Sequence, residues 1–227
     1  FAQANKPAEG GAAGEISDII VTATRSSEIL SRVPISVAVL TKEKMDEQGI
    51  KQFSDIVRFT PGLTLNQSPT GSNDVSIRGV SSSAGAATTG IYIDDVPIQV
   101  RQIGFAAGSS FPVVFDLERV EVLRGPQGTL FGSGSEGGTV RFIQPDPSTS
   151  EWSLYGRAEG SITPKAAGGY EAGIAAGGPL VQDKIGIRAS AFYRHDGGWI
   201  DKVPGTLTLN QGNVNFAPTA GGDKNYN

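Results

Sequence analysis

The sequence predicts an α+β domain followed by the start of a transmembrane antiparallel β-barrel. Three observations carry this expectation. The 227 residues include 31 glycines, 13 prolines and only 7% aromatics, which favours short strands joined by many turns over helical bundles. Beyond Pro147 the chain switches to long period-two alternation with its charges on one face, the pattern of strands with one side in lipid. No run approaches the roughly 18 apolar residues a spanning helix needs, so any crossing falls to strands.

In chain order, Phe1-Ala2-Gln3-Ala4-Asn5 is similar to the small-residue end of a secretory signal peptide, which makes residues 1–4 its expected remnant. Residues 5–14 are Ala, Gly and Pro with one Asn, one Lys and one Glu, too poor in large apolar groups to offset ordering, and the whole of 1–33 is expected to be flexible. Within it, Asp18, Ile19, Ile20, Val21, Thr22 and Ala23 have strand character between polar flanks. Such a segment is either an edge strand of the next domain or a peptide offered to another protein's sheet.

Residues 34–147 are expected to form one compact domain. Ser36 to Leu40 alternates like a strand, Thr41 caps a helix over 42–48 that stops at Gly49, and a second helix over 51–59 ends at Thr60-Pro61-Gly62. Short strands follow over 63–66, 75–78, 90–93, 96–98, 120–123 and 139–143, with Asp94-Asp95 as a two-residue turn. Polar or Gly-rich loops occupy 67–74, 81–89 and 99–112. The charged residues Arg78, Arg119, Arg124, Arg141, Glu118 and Glu121 sit in or beside these strands. A small domain buries some of them, which requires pairing; the alternative is surface ion pairs of little energetic weight.

From 148 the expected barrel strands are three. Trp152, Leu154, Gly156, Ala158, Gly160 and Ile162 share one face of the first; Tyr170, Ala172, Ile174, Ala176 and Leu180 share one face of the second; Ile185, Ile187, Ala189, Ala191 and Tyr193 share one face of the third. Arg157, Glu159, Glu171, Arg188 and Arg194 point the other way. The short turn over 178–184 and the long Gly, Pro and Asn-rich stretch over 197–227 match the turn asymmetry of membrane barrels, with aromatic residues at either rim. A soluble sheet with one wet face gives similar alternation.

Other chemistries are disfavoured. A formal net charge of −4 argues against a nucleic-acid partner. With no cysteine and His195 as the single histidine, no thiolate site, multi-histidine metal cluster or Ser-His-Asp triad can be assembled among other residues. Gly132-Ser-Gly-Ser-Glu-Gly137 matches a dinucleotide fingerprint in letters, but a strand-like run follows where a helix is required. No metal, cofactor or enzymatic activity is expected.

The Gly-rich stretch over 120–143, with Leu123-Arg-Gly-Pro126, Ser76-Ile-Arg-Gly79 and the run Gly90 to Ile98, resembles the plug domain of the TonB-dependent outer-membrane receptors. The resemblance covers about residues 16 to 200. It implies a plug inside a barrel of about 22 strands, in the outer membrane of a Gram-negative bacterium, importing a large scarce nutrient such as a metal-siderophore complex. Three strands cannot close, so the full protein is expected to be longer. Residues 18–23 match the TonB box, the strand pulled by a TonB-type protein, and Arg78, Arg119, Arg124 and Glu121 are expected to pair between plug and barrel wall. Gln67, Ser68, Asn73, Ser82, Thr88, Gln99 and Arg101 lie on the loops expected to face substrate. A signalling receptor of the same family carries a folded domain before its TonB box, where this sequence has 17 residues; a secreted β-rich binding module is the other alternative.

Overall fold

A computed structural model describes residues 19–67, 73–81, 87–98, 111–162, 168–197, 205–210 and 213–218. The chain divides into two compact units, Phe1–Val113 with Arg119–Ile143, and Val114–Glu118 with Gln144–Asn227. The expected break at Pro147 is thus at Ile143, and a five-residue segment from within the plug-like region belongs to the second unit.

The first unit opens with β1 (Ile20–Val21), antiparallel to β2 (Glu28–Ile29), then a 3-10 turn over Leu30–Arg32. Residues 19–33 are therefore ordered, contrary to expectation. The reason is burial: Val21 and Ala23 are fully enclosed, and a buried valine alone contributes about 2 kcal/mol.

Strand β3 (Ser36–Thr41) leads into α1 (Lys42–Glu47), whose first turn is capped as expected by the Thr41 hydroxyl, accepting from Lys44 N at 3.4 Å. Helix α2 (Phe53–Phe59) starts two residues later than the sequence suggests. The Asp55 carboxylate explains this by accepting from the amides of Lys51 and Gln52, which holds them outside the helix as its cap.

Strands β4 (Leu63–Gln67) and β5 (Asn73–Ile77) form a hairpin. The remaining strands are β6 (Thr89–Ile93), β7 (Val96–Pro97), β8 (Arg119–Arg124) and β9 (Gly138–Ile143). With β3 they build a five-stranded sheet in the order β3-β8-β9-β6-β7. Asp94 and Asp95 make the β6–β7 turn, Asp94 at φ 51.

A short helical element inside the Gly-rich stretch was not expected. Gly128–Phe131 is a single helical turn, α3, closed by Phe131 N donating to Gln127 O at 2.9 Å and ended at Gly132 with φ 78. It carries Phe131 into edge-on contact with Tyr92 at 5.4 Å between centroids.

The sheet has two covered faces. On one, Val120, Val122, Val140, Phe142 and Ile91 are buried, and Phe142 meets Phe53 of α2. On the other, Tyr92, Leu123 and Phe131 enclose Val21 and Ala23, with Leu30, Val33, Ile35, Val37 and Val39 around them. The N-terminal hairpin is the lid of that second layer.

The second unit is a sheet in the order β10-β11-β12, from Ser153–Ser161, Gly169–Val181 and Ile185–His195. Its register verifies the expected faces. Leu154, Ala176 and Ala189 stand in one row and Ala158, Ala172 and Tyr193 in another, whereas Tyr155, Ala175 and Ser190 align on the opposite face. Val114–Glu118 covers that opposite, charged face: Arg188 pairs with Asp116, and the Phe115 ring stacks near Tyr155 and Phe192. The apolar side chains Leu154, Ile174, Ile187 and Tyr193 stay exposed.

The stretch read as a long loop over 197–227 contains a hairpin, β13 (Gly205–Asn210) with β14 (Asn213–Pro218). Its strands alternate Thr-Leu-Thr-Leu and Asn-Val-Asn-Phe, a short period-two signal outweighed on reading by neighbouring turn formers.

Among the described residues no helix is long and apolar enough to cross a membrane, which says nothing about strands.

Candidate functional site

The site is the seat of Thr22. Strand β8 places Arg119 and Glu121 on the face that carries the N-terminal hairpin, and Arg141 of β9 lies directly across from Glu121. Glu121 is wholly buried in a sheet of Val and Leu, where an unpaired carboxylate costs several kcal/mol. It is therefore surrounded by donors. Arg119 Nε donates to Glu121 Oε1 at 2.8 Å and Arg141 Nη1 to Oε2 at 2.9 Å.

Two guanidinium groups around one carboxylate leave excess donors and excess positive charge, and Thr22 fits both. Its amide donates to Glu121 Oε1 at 2.9 Å. Its carbonyl accepts from Arg141 Nη1 at 2.7 Å, and its hydroxyl accepts from Arg141 at 2.8 Å and Arg119 at 3.3 Å. Asp95, largely exposed, approaches Arg141 Nη2 at 3.3 Å and offsets part of the charge.

Every polar group of Thr22 is thus bound by side chains from β8 and β9, and its carbonyl also accepts from the Arg25 amide at 3.0 Å in the turn that follows the last ladder pair at Val21. Phe131 closes the site, with the guanidinium carbons of Arg25 and Arg141 at 5.3 and 5.5 Å from its ring centroid.

The turn between β1 and β2 has its own tie. Thr24 and Ser26 hydroxyls donate to Glu28 Oε1 at 2.8 and 2.7 Å. These bonds favour the ionised form and hold the Glu28 carboxyl below its ordinary value.

The expected residues distribute as follows. Asp18 lies outside the described residues; Ile19 and Ile20 are exposed, Val21 and Ala23 buried, and Thr22 half-buried. Arg119 and Glu121 pair with each other, and both also bond to Thr22, while Arg141 joins them at Glu121, all within the first unit. The sequence showed the charges but not the segment about 100 positions away that completes them.

Arg78 and Arg124 are brought together. A Cβ on Gly125 would lie 3.8 Å from Arg78 Nη1, and Arg124 Nη1 donates to Pro61 O at 3.3 Å, beside the Gly62 that Arg78 Cγ approaches. Neither pairs with a carboxylate among the described residues. Arg78 sits at φ 55, a left-handed conformation uncommon for arginine.

Of the loop residues, Gln67 and Asn73 pair across β4–β5, and Thr88 is buried with its hydroxyl donating to Val80 O at 3.0 Å. Thr88 therefore braces its loop instead of presenting a hydroxyl to solvent. Ser68, Ser82, Gln99 and Arg101 lie outside the described residues. Among the described residues no cluster of His, Asp and Glu forms a metal site.

Residues 30–139 match the TonB-dependent receptor plug domain. The ferripyoverdine receptor of Pseudomonas aeruginosa is 30% identical over 87% of this chain and 23% of its own length. A vitamin B12 transporter of Vibrio vulnificus is 32% identical over 66% of this chain and 24% of its own. The crystal structure of the P. aeruginosa receptor bound to ferripyoverdine superimposes with a TM-score of 0.62 at 29% identity, covering 77% of this chain and 22% of that one. The chain spans about a quarter of the length of the curated relatives it matches. A plug-type sheet with its Leu-Arg-Gly-Pro strand, followed by strands with one apolar face, agrees with these matches, and the chain belongs to the TonB-dependent receptors.

Proposed function

We propose that the whole protein is an outer-membrane active transporter that imports a large, scarce nutrient, a metal-siderophore complex being the class that the ferripyoverdine receptor's name suggests. The cycle is binding, conformational change and release, with no bond in the nutrient made or broken. Its energy enters through Asp18 to Ala23, engaged as a strand by a TonB-type protein across the periplasm.

The observation that carries this reading is the build of the N-terminal hairpin. Ile19 and Ile20 are exposed while the next residues are held by a compact, breakable set of contacts, as suits a segment that leaves its seat to pair elsewhere. Arg78 and Arg124, together at one surface and without a carboxylate among the described residues, support pairing with acids on the wall of the closed barrel. The loops over 67–74, 81–89 and 99–112 are the proposed substrate-facing surface.

The test is uptake of radiolabelled iron-siderophore complexes by cells carrying the full-length receptor with Ile20→Pro. Proline removes a backbone donor from a strand whose role is to pair, so uptake falls to background with normal surface abundance. Uptake at the wild-type rate overturns the coupling assignment.

A further inference from the structure

The sheet β10-β11-β12 holds one segment that comes from elsewhere in the chain. Val114–Glu118 belongs to this second unit, although the residues on either side, Val113 and Arg119, belong to the first. The segment is a strap across all three strands.

Each strand contributes to its seat. From β12, Arg188 Nε donates to Asp116 Oδ2 at 2.8 Å and Nη2 to Oδ1, while Nη1 donates to Ser153 Oγ of β10 at 3.0 Å. From β10, Arg157 Nη2 donates to Val114 O at 2.9 Å, and its guanidinium carbon lies 5.4 Å from the Phe115 ring centroid. That ring packs 5.5 Å from Tyr155 of β10 and 5.0 Å from Phe192 of β12. From β11 comes a notch: residue 173 is glycine, and a Cβ there would overlap the Phe115 ring. Val114, Asp116 and Leu117 are buried.

Connectivity limits how the strap can arrive. Both its ends continue into the first unit, so it reaches the sheet only as a loop with that unit's chain attached on either side. While β10–β12 is an open sheet, the loop can settle on it from the side. Once a barrel has closed around that face, the same loop has to enter through the mouth together with its domain. Sequence distance favours the first order. The strap's contacts join residues 43 and 72 positions apart, whereas closing a barrel pairs its first strand with its last across a far longer stretch, and longer loops close at greater entropic cost and more slowly.

We infer that Val114–Glu118 is an assembly key: it seats on β10–β12 before the barrel closes, and this early seating delivers the plug into the barrel instead of leaving it outside. The inference rests on the reading of β10–β12 as the first strands of an outer-membrane barrel. Phe115, Asp116, Gly173 and Arg188 then decide where the plug ends up, while the strand ladders decide whether the barrel forms.

The first test is the order of events in cells making the full-length receptor with Phe115→Cys and Gly173→Cys; the 227 residues contain no cysteine to interfere. Pulse-labelled chains are treated at intervals with a short bifunctional thiol reagent, and closed barrels are recognised by their resistance to unfolding in cold detergent. The crosslink is expected first in chains that are not yet closed. A crosslink found only in closed barrels overturns the inference.

The second test separates delivery from closure. Gly173→Phe fills the notch, and Asp116→Arg sets like charges against each other at Arg188. Each is expected to leave the amount of closed barrel within about twofold of the unsubstituted receptor, while cleavage of the plug by protease admitted to the periplasm rises at least tenfold. Asp116→Arg with Arg188→Asp restores an opposite-charge pair and returns the plug to protection. Wild-type protection in the single variants overturns the inference, and so does loss of the closed form, which would make the strap a requirement of closure. Failure of the underlying reading looks different: the unsubstituted receptor would then show no detergent-resistant closed form at all.

Discussion

At the scale of residues, Thr22 does the work of a ligand in a site built by its own chain. Valine keeps its shape and backbone but deletes the hydroxyl that Arg141 and Arg119 share. Losing that shared acceptor removes the net value of a typical hydrogen bond, about 0.5–1.5 kcal/mol. Thr22→Val is expected to loosen β1 without unfolding the plug, read as faster hydrogen exchange at the Val21 amide with unchanged exchange in β8. A second prediction concerns Glu28. Its folded pKa is lowered, so its contribution to the turn is present above the ordinary glutamate value and lost as pH falls through the depressed one. A spin label at Ser27 gains mobility on acidification through that range, and Glu28→Gln abolishes the pH response. The charges of this site were legible in the alternation of Arg119-Val-Glu-Val-Leu-Arg124, because charged residues inside an apolar strand demand partners. The identity of the partners was not, since a contact between Thr22 and Glu121 depends on how the hairpin folds over the sheet and leaves no local periodic trace.

At the scale of elements, what could be read from the sequence follows from how strongly each element repeats itself. The strands β10 to β12 were legible, faces included, because nine to thirteen residues of period-two pattern constrain register tightly. The turn α3 was not, having four residues and a leading glycine, and β13–β14 offered only six residues each. The register makes a sharp prediction. Ala189 shares its row with Leu154 and Ala176, whereas Ser190 shares the opposite face with Tyr155 and Ala175. With the apolar face in lipid, an arginine near the midplane costs roughly 2–4 kcal/mol. Ala189→Arg is expected to lower the folded yield of the full-length receptor in liposomes well below that of Ser190→Arg. Equal yields would return β10–β12 to an ordinary soluble sheet.

At the scale of the whole molecule, the adjacency of Arg78 and Arg124 predicts how the plug is retained. If barrel carboxylates face them, Arg78→Ala with Arg124→Ala strands those acids, and the plug loosens. The expected outcome is increased entry of large antibiotics and a higher conductance in planar bilayers, each change exceeding that of either single variant. Unchanged permeability would mean both arginines are solvated surface groups. The seat of Thr22 has a consequence of another kind, for competition among receptors. A partner that adds itself as a strand needs the Thr22 amide and carbonyl, and both are already bonded to Glu121 and Arg141. Its apparent affinity is reduced by the fraction of time the segment is free, so a docking preference of about 2.8 kcal/mol weakens capture roughly 100-fold. If β1 is the coupling segment, as proposed, a cell with few coupling proteins and many idle receptors would keep the former unoccupied, and whatever event first loosens Thr22 would set which receptor is served.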